Sequence, residues 1–274
     1  MNILVTGKNG FLAEELYDLF QNLNHNVMFM GREDLNLLDQ DEVDNFFKDR
    51  HFDALVHTAI LGGRRTKKDD ANDYYHNTLM FCNLLKHISR VDKFINFDSG
   101  ASFDRSGDIN NCSELDLMRS VPIDFYGLSK LVVPLMGKSF SNFINLRIFN
   151  CFGPKETEDR FIKRSMRRYL DNKPIEIFEE KYMDFFYVKD LFKVLLYVIY
   201  NDVKCRDINL CYDKKHKMSE IASVINQLES HRVPITIRKS AYNYTGSSKD
   251  LSGLRLQLGG LKSGIEDMYN CLKN

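Results

Sequence analysis

Short apolar runs alternate along the first half of the chain with segments whose apolar residues recur at helical spacing. The first run, residues 1–6, ends in the turn GKNG and leads into a segment with Leu12, Leu16 and Leu19 on one helical face. Further apolar runs of strand length occupy residues 25–31, 52–60, 93–99 and 143–150. Helical patterns lie between them, at residues 40–48, at residues 71–89 and from residue 129 onward. Because such alternation is typical of a parallel sheet with right-handed crossovers, we predict an α/β fold with a Rossmann-type doubly wound sheet.

The alternation loosens after residue 150. A basic helical segment at residues 160–170 and a long helical segment from Asp190 follow, with short apolar runs between them. Ligands of doubly wound sheets bind beyond the carboxyl ends of the strands, so the turns after the strands are the places to search for a site. We expect a Rossmann domain of residues 1–150, to which residues 185–212 return, and a smaller lobe of residues 151–184 and 213–274.

Composition and charge narrow the class of protein. The 274 residues are 43% hydrophobic, and 38 basic residues balance 38 acidic ones, so electrostatics favours neither nucleic acid nor an anionic membrane as a partner. No apolar run approaches the roughly 20 residues of a transmembrane helix. The six cysteines lie far apart, without CxxC or a Cys/His cluster at metal-ligand spacing. We expect a cytoplasmic protein with reduced cysteines and no metal site.

The first turn has the composition of a phosphate-binding turn. In TGKNGFLA, Gly7 allows the strand to turn, Gly10 allows a close backbone approach, and Ala13 lets the helix pack closely on the sheet. The free N–H groups and positive end of such a helix suit the pyrophosphate of a dinucleotide. The second predicted strand ends at Arg32, which favours the 2′-phosphate of NADPH over NADH, although Glu33 follows it. The alternatives are that the glycine turn has only a structural role and that Arg32 is only a solvated surface charge.

Three residues suit proton transfer at the same edge of the sheet. Tyr126 and Lys130 in YGLSK lie one helical turn apart on one face, and Ser99 ends the fourth predicted strand. A neighbouring ammonium stabilises a phenolate, so we expect Lys130 to lower the pKa of Tyr126 and make it a usable general acid or base. A chance Tyr-Lys spacing and a Ser99 that only caps its strand are the alternatives.

Several motifs together resemble a known family. TGKNGFLA, HTA at residues 57–59, Asn77, Ser99, YGLSK and LRIFNCFGP look like an extended short-chain dehydrogenase/reductase of the sugar-nucleotide branch. GREDLNLLDQDEVDNFF and the AILGG loop resemble GDP-fucose synthase, whereas DRFIKRSMRRYLDNKPIEIF followed by DFFYVKDL is similar to 4-ketosugar reductases of the CDP-paratose synthase type. The resemblance implies NADPH-dependent reduction of the 4-keto group of a nucleotide-linked deoxysugar.

The resemblance also implies roles for individual residues. Tyr126 protonates the forming alkoxide, Ser99 hydrogen-bonds that oxygen, and Lys130 serves both the cofactor ribose and Tyr126. The implied cofactor-binding residues are Gly7, Asn9, Gly10, Phe11, Leu12, Arg32, Asp39, Thr58, Ala59, Ile60, Tyr126, Lys130 and Asn150. The implied substrate-binding residues are Ser99, Asn150, Arg160, Lys163 and Arg168. The domain at residues 1–150 then binds NADP, the smaller lobe binds the substrate, and a homodimer is expected.

Departures from the family pattern change the predicted reaction. GDP-fucose synthase also epimerises its sugar with a cysteine and a histidine, at places that hold Ala101 and Arg160 here. Alanine carries no proton and arginine stays charged, so we expect no epimerisation at C3 or C5. The arginine that relatives place before Asp-Phe is Met183 here, which leaves the diphosphate to the basic segment.

Other features receive a structural interpretation. We expect His57 to pack or to contact the cofactor, Asn77 to support the site, and Pro134 to kink the helix that carries Tyr126. Two other functions remain open: a sugar-nucleotide epimerase or dehydratase that keeps NAD bound, and a regulatory subunit that binds NADP without turnover. Asp124 and Phe125 do not supply the acidic pair of a dehydratase, and an intact Ser99, Tyr126 and Lys130 set argues against a non-catalytic chain.

Overall fold

The computed structural model describes residues 1–63 and 68–273. Its strands are β1 (Asn2–Thr6), β2 (Asn26–Met30), β3 (Phe52–His57), β4 (Val91–Ser99), β5 (Ile109–Cys112), β6 (Phe143–Ile148), β7 (Cys151–Phe152), β8 (Ile175–Glu180), β9 (Phe186–Tyr187), β10 (Asp207–Leu210), β11 (Ile235–Ser240) and β12 (Tyr244–Gly246). Its α-helices are α1 (Phe11–Phe20), α2 (Gln40–Phe47), α3 (Ala71–Leu85), α4 (Phe125–Gly137), α5 (Phe161–Leu170), α6 (Val188–Tyr200), α7 (Met218–Ile225), α8 (Lys249–Gly253) and α9 (Gly260–Lys273). None of the helices in these two ranges has the length and apolar character needed to cross a membrane.

The central sheet is parallel throughout. Its strands lie in the order β2-β1-β3-β4-β6-β10, and every neighbouring pair runs in the same direction. The chain leaves β1 toward β2 on one side and returns to β3 on the other, so the strand order reverses between β1 and β3. This arrangement confirms the predicted doubly wound α/β sheet. It also places a crevice for a ligand at the carboxyl ends of β1 and β3.

Alternating residues of β1 show why helices cover both faces of the sheet. Ile3 and Val5 belong to a buried cluster with residues of α1 and α6, whereas Leu4 belongs to a second cluster with residues of α2, α3 and α4. All three β1 side chains are fully buried. Successive strand residues point to opposite faces, so a strand that is apolar at every position needs helices on both sides.

Some element boundaries differ from the expected ones for local reasons. Helix α4 begins at Phe125 rather than at residue 129, because the Asp124 carboxylate accepts a hydrogen bond from Gly127 N at 2.7 Å and caps the helix. Helix α3 ends at Leu85, and a short 3₁₀ turn at Ile88–Arg90 leads into β4. Helix α4 continues through Pro134 to Gly137.

The later part of the chain pairs with itself and with the loop after β4. Strand β8 pairs with β11, β7 pairs with β9, and β12 pairs with β5, all in parallel. Strand β10 instead joins the central sheet beside β6. The pairing of β12 with β5 brings residues near the C-terminus to the segment that follows Ser99.

Candidate active site

The glycine turn after β1 is packed against the end of β3. Gly7 adopts a φ of +82°, and a Cβ built on it would lie 2.7 Å from Ala59 N and 2.8 Å from Thr58 Oγ1. Thr58 Oγ1 in turn donates a hydrogen bond to Thr6 O at 2.7 Å. Both the positive φ and the close contact require glycine here. The two crevice strands are therefore joined directly at the predicted cofactor turn.

The N-terminus of α1 is suited to an anionic group. Its N-cap is Gly10, which has no side chain to accept a hydrogen bond from the first helical turn. A Cβ on Gly10 would lie 3.1 Å from Gly7 O, a close contact that glycine avoids. Phe11 and Leu12 follow, with side chains packed against the core and backbone N–H groups in the first turn. This cradle fits the pyrophosphate of a dinucleotide.

Charged residues surround the loop after β2. Arg32 is exposed. The Glu33 carboxylate accepts a hydrogen bond from Asn9 Nδ2 at 3.2 Å, so two residues from the two predicted cofactor loops already contact each other. Lys8 Nζ lies 3.1 Å from an Asp34 carboxylate oxygen. Arg32 of this loop and Lys8 of the glycine turn thus offer cations for a phosphate, with the Glu33 and Asp34 carboxylates close by.

The remaining predicted cofactor residues have structural contacts of their own. Asp39 caps α2 by accepting a hydrogen bond from Glu42 N at 3.0 Å, and Ile60 is 39% exposed in the loop after β3. Asn150 Nδ2 donates to Asp184 O at 3.0 Å. Contact of these residues with a cofactor stays a prediction.

Asn77 and His57 support the loop after β3. Buried Asn77 accepts a hydrogen bond from Leu61 N at 2.8 Å and donates to Leu61 O at 2.9 Å, and its amide also contacts Ser129 Oγ at 3.3 Å. His57 Nδ1 lies 2.9 Å from Thr6 Oγ1. Burial, together with repulsion from Lys130, lowers the pKa of His57 to about 3, so the imidazole stays neutral.

Ser99, Tyr126 and Lys130 are brought together at the ends of β4 and α4. Lys130 Nζ lies 5.9 Å from the centroid of the Tyr126 ring and donates a hydrogen bond to Phe97 O at 2.8 Å. The Ser99 hydroxyl is close enough to Tyr126 to lower the pKa of the phenol, and it accepts a hydrogen bond from Ala101 N at 3.2 Å. The arrangement holds a phenol and a hydroxyl side by side, as a general acid and its hydrogen-bonding partner require.

The pKa of Tyr126 moves in the direction opposite to the one expected. Burial raises the pKa of this phenol, and the hydrogen bond from Ser99 and the charges of Arg105 and Arg160 oppose the rise without reversing it. The predicted lowering was therefore wrong. Burial lowers the pKa of Lys130 to about 8, with Asp98 opposing. At neutral pH the phenol is consequently protonated and able to give a proton.

Two residues near the phenol were missed by the sequence analysis. The Tyr244 hydroxyl lies beside the residue that follows Ser99, since a Cβ built on Gly100 would come within 2.7 Å of it. The charge of Arg105, which pairs with Asp124 at 2.8 Å, acts on both phenols. Tyr244 arrives through the pairing of β12 with β5, and no local motif marks it.

The basic residues of the segment before and within α5 differ in their surroundings. Lys163 is 8% exposed and donates to Pro154 O at 2.9 Å and to Glu156 O at 2.7 Å. Arg168 pairs with Glu176 of β8 at 2.9 Å. Arg160 lies 3.4 Å from the Glu156 carboxylate and close enough to Tyr126 to lower its pKa. The charge of Arg160 thus acts on the phenol.

The positions that distinguish epimerising relatives are both near the site. Ala101 is 1% exposed, and its backbone N–H donates to Ser99. Arg160, at the other position, donates to Cys151 O at 3.3 Å. Met183, in place of the expected arginine, is buried and forms a β-bridge with Tyr244. Neither Ala101 nor Arg160 is therefore an acid or base of the kind that epimerisation needs.

Comparisons with known proteins agree with this geometry. A sequence profile described as the NAD dependent epimerase/dehydratase family matches residues 3–211. A curated relative, "Uncharacterized UDP-glucose epimerase YtcB" of Bacillus subtilis, is 24% identical over 235 residues, which cover 73% of this chain and 72% of the relative.

Solved structures share the whole fold. A GDP-mannoheptose C4 reductase from Campylobacter jejuni with NADP bound aligns with a TM-score of 0.87 at 19% identity, covering 100% of this chain and 98% of that one. A GDP-L-fucose synthetase from Naegleria fowleri aligns with a TM-score of 0.85 at 19% identity, covering 100% and 93%. At these identities the likeness establishes the fold.

Proposed function

The chain belongs to the NAD dependent epimerase/dehydratase family, and from this premise we propose that it uses NADPH to reduce the 4-keto group of a nucleotide-linked 4-keto-6-deoxy or dideoxy sugar. The family assignment confirms the resemblance to the extended short-chain dehydrogenases/reductases and makes the protein an NAD(P)-dependent oxidoreductase. The observation that carries the proposed reaction is the placement of the Tyr126 phenol, which lies near Ser99 and has its ring centroid 5.9 Å from Lys130 Nζ.

Residues of the chain are assigned to bind each part of the cofactor. When bound, NADPH supplies the hydride of the reduction. The glycine turn at Gly7 and Gly10 would hold its pyrophosphate, Arg32 would bind its 2′-phosphate, and Lys130 would bind the nicotinamide ribose. A guanidinium binds a phosphate more strongly than a neutral hydroxyl, which supports NADPH over NADH. The C. jejuni reductase that shares the fold was solved with NADP bound, which supports the same preference.

Tyr126 acts as the proton donor in the proposed reaction. Reduction of a carbonyl needs a proton on the oxygen as negative charge develops there. A phenol whose pKa is raised by burial carries that proton at neutral pH. As the proton leaves, the charges of Arg105 and Arg160 stabilise the phenolate, and the Ser99 hydroxyl stabilises the developing alkoxide.

The substrate class is argued from relatives and from the surroundings of Tyr126. Both the C. jejuni reductase and the N. fowleri synthetase are named for GDP-linked sugars, and the B. subtilis relative is named for a UDP-linked one. In this proposal Arg160 and Asn150 contact the nucleotide sugar. Lys163 and Arg168 would join them only by leaving their present partners, Glu156 O and Glu176.

The proposal excludes epimerisation at C3 and C5. Epimerisation there requires one group to remove a proton from carbon and another to return it. Ala101 has no such proton, and the Arg160 guanidinium stays charged at every working pH. In D₂O the product should accordingly carry no solvent deuterium at C3 or C5, as NMR would show; label at either carbon would contradict this part of the proposal.

The parts of the chain that form the central sheet are assigned a different binding role from the rest. We propose that residues 1–150, with residues 185–212, bind NADP and that residues 151–184 and 213–274 bind the sugar nucleotide. The membership of β10 in the central sheet supports the first half of this division.

An epimerase with tightly bound NAD is the second candidate, because the B. subtilis relative is named as an epimerase. Such an enzyme must first oxidise its substrate, which requires a phenolate as base. The raised pKa of Tyr126 disfavours the phenolate. The third candidate is a regulatory subunit that binds NADP without turnover. Such a subunit does not need Ser99, Tyr126 and Lys130 to lie together.

One experiment separates these functions. The purified protein is titrated with NADPH and with NADH, and the absorbance of the reduced nicotinamide is then followed with a panel of 4-keto sugar nucleotides. The proposed function predicts tighter NADPH binding and consumption of NADPH with at least one member of the panel. Copurified NAD with interconversion of sugar epimers would favour the epimerase, and tight NADPH binding without consumption would favour the regulatory subunit.

A further inference from the structure

A carboxylate of the chain itself lies between the glycine turn and the end of β2. The Glu33 side chain folds back over Gly31, where a Cβ would lie 2.6 Å from both of its carboxylate oxygens. Asn9 Nδ2, from the glycine turn, donates to these two oxygens at 3.2 and 3.4 Å. Lys8 Nζ lies 3.9 Å from Glu33 Oε1. The turn therefore directs an amide and an ammonium group at one anion.

Lys8 is held at this place by its backbone and by Asp34. The N–H groups of Lys8 and Gly7 donate to the carbonyl of Met30, the last residue of β2, at 3.2 and 2.9 Å. Lys8 Nζ donates to Asp34 Oδ2 at 3.1 Å, and the same oxygen accepts a hydrogen bond from Gly31 N at 2.9 Å. The hydrogen bond with Asp34 raises the pKa of Lys8, so the ammonium stays charged at neutral pH. The proposed reaction gives this ammonium no role.

The end of β2 is where a doubly wound sheet distinguishes NADPH from NADH. Residues that follow this strand contact the 2′ position of the adenosine ribose, and a phosphate there favours a basic residue. Arg32 and Glu33 follow the strand, and Lys8 reaches the same end from the glycine turn. The 2′-phosphate of NADPH would thus enter beside the anion that the turn already holds.

Charge decides which group gives way when a phosphate enters. The two basic residues Lys8 and Arg32 balance the two acidic residues Glu33 and Asp34, and a phosphate monoester adds roughly 1.5 to 2 negative charges. Like charges on the same donors repel each other, so one carboxylate has to leave. Glu33 lies 3.9 Å from Lys8 with its side chain 54% exposed, whereas Asp34 lies 3.1 Å from Lys8 and is 33% exposed. Glu33 is therefore the more easily displaced of the two.

We propose that Lys8 is a second ligand of the 2′-phosphate beside Arg32, and that the Glu33 carboxylate occupies the place of this phosphate until the cofactor binds. The inference rests on the proposed use of NADPH and deepens it, because it adds a specificity-determining residue from the glycine turn. When NADPH binds, Glu33 moves into solvent, and Lys8 and Asn9 exchange its carboxylate for the phosphate. NADH has no 2′-phosphate and leaves Lys8 paired with Glu33.

Lys8→Met and Glu33→Gln test the two halves of the proposal. Methionine keeps a long unbranched side chain without the charge, and glutamine keeps the shape of glutamate without the charge. The matched controls are Lys262→Met and Glu266→Gln in α9. These two residues lie 3.8 Å apart, against 3.9 Å for Lys8 and Glu33, and the Glu266 side chain is 52% exposed. Thermal unfolding of all four variants checks that the fold is retained.

The first readout is binding of adenosine 2′,5′-bisphosphate and of 5′-AMP, which differ only in the 2′-phosphate. Calorimetry should show that Lys8→Met weakens binding of the bisphosphate roughly fivefold or more and leaves binding of AMP nearly unchanged. An equal loss for both ligands, or a loss no larger than in Lys262→Met, overturns the inference. A wild-type protein that binds AMP as tightly as the bisphosphate would refute the proposed use of NADPH itself.

The exchange of Glu33 is tested by a double-mutant cycle in the same assay. Glu33→Gln should tighten binding of the bisphosphate in the wild-type background, because the phosphate no longer competes with a carboxylate for Lys8. In the Lys8→Met background the gain should be smaller, since that competition is already gone. An equal gain in both backgrounds would show that Glu33 acts by repulsion alone, and it would contradict the exchange. Glu266→Gln should change neither affinity.

The second readout is the pKa of the bound 2′-phosphate, followed by ³¹P NMR of the bisphosphate complex. A free phosphate monoester has a second pKa of about 6, and two cations beside it should hold that pKa lower. Lys8→Met should raise the pKa of the bound phosphate, and Lys262→Met should not. An unchanged pKa in Lys8→Met would contradict the inference. Neither readout needs turnover, so a protein that passes both but reduces no 4-keto sugar would refute the proposed reaction and leave this inference standing.

Discussion

Gly63 lies directly against the phenol ring of Tyr126. A Cβ built on Gly63 would come within 2.7 Å of Tyr126 Cε2 and 2.8 Å of Cζ, and Gly63 itself adopts a φ of +69°. Its N–H donates to Asp69 at 2.8 Å, which holds this part of the loop in place. The loop after β3 therefore covers the ring of the proposed proton donor, and only a residue without a side chain allows that approach.

Gly63→Ala should damage turnover more than stability. The alanine must adopt a positive φ, and its methyl group must push the Tyr126 ring aside. A displacement of about 1 Å can cost roughly 10²-fold in rate. Steady-state kcat and thermal unfolding measure the two effects. Gly107→Ala is the control, because a Cβ there meets no atom within 4 Å. Equal kcat values in the two variants would mean that the contact has no catalytic consequence.

Tyr126→Phe should abolish the proton transfer while leaving the cofactor bound. Loss of a positioned general acid costs roughly 10²- to 10⁴-fold in rate. Cofactor affinity, measured by fluorescence titration with NADPH, should stay close to that of the wild type, since the glycine turn is untouched. Tyr75→Phe, on an exposed tyrosine of α3, serves as the control. Activity retained in Tyr126→Phe would show that another group supplies the proton.

Arg32→Ala should change the choice between cofactors. A charge-assisted hydrogen bond to a phosphate contributes about 1.5 to 3 kcal/mol, so NADPH affinity should fall roughly tenfold or more. NADH affinity should change little, because NADH has no 2′-phosphate. The exposed Arg232 provides a matched control in Arg232→Ala. An equal loss of affinity for NADPH and NADH would indicate that Arg32 is only a solvated charge.

The pH dependence of kcat/KM should show an alkaline limb from Lys130. Burial lowers the pKa of this lysine to about 8, and the Asp98 carboxylate opposes that shift. The ammonium needed at the ribose is thus lost above about pH 8, whereas Tyr126 keeps its proton there.

Asp98→Asn tests the origin of this limb. Without the carboxylate, burial acts on Lys130 unopposed, its pKa falls further, and the limb should move to lower pH. The position of the limb does not depend on the folded fraction, which matters because Asp98 also pairs with buried Arg147 at 2.8 Å. A limb that stays at the same pH would assign it to another group.

The parts of the site that sequence reasoning found are those encoded by local patterns at strand ends. Gly7 follows a predicted strand, Ser99 ends another, and Tyr126 comes shortly before a predicted helix. Parallel strands bring their carboxyl ends to one edge of the sheet. Tyr244 could not be found this way, because its place depends on the pairing of β12 with β5. The pKa of Tyr126 was misjudged because helical spacing reveals a neighbouring charge but not the burial that outweighs it.

The basic segment at residues 160–170 also shows that packing cannot be predicted from sequence spacing. Charge and helical spacing grouped Arg160, Lys163 and Arg168 together, yet their surroundings differ. The carbonyls that bind Lys163 belong to the loop before α5, and the Glu176 that pairs with Arg168 belongs to β8. Which side chain of such a group acts on Tyr126 is decided by packing, which the sequence does not display.

Transfer of deuterium from cofactor to sugar tests the central claim most directly. The protein is incubated with NADPH that carries deuterium at both C4 positions of the nicotinamide and with a 4-keto sugar nucleotide that supports NADPH consumption, and the product is analysed by NMR. We predict deuterium at C4 of the sugar, with the configurations at C3 and C5 unchanged, and loss of the labelled product in Tyr126→Phe. A product without deuterium at C4, or one formed equally well by Tyr126→Phe, would contradict the account.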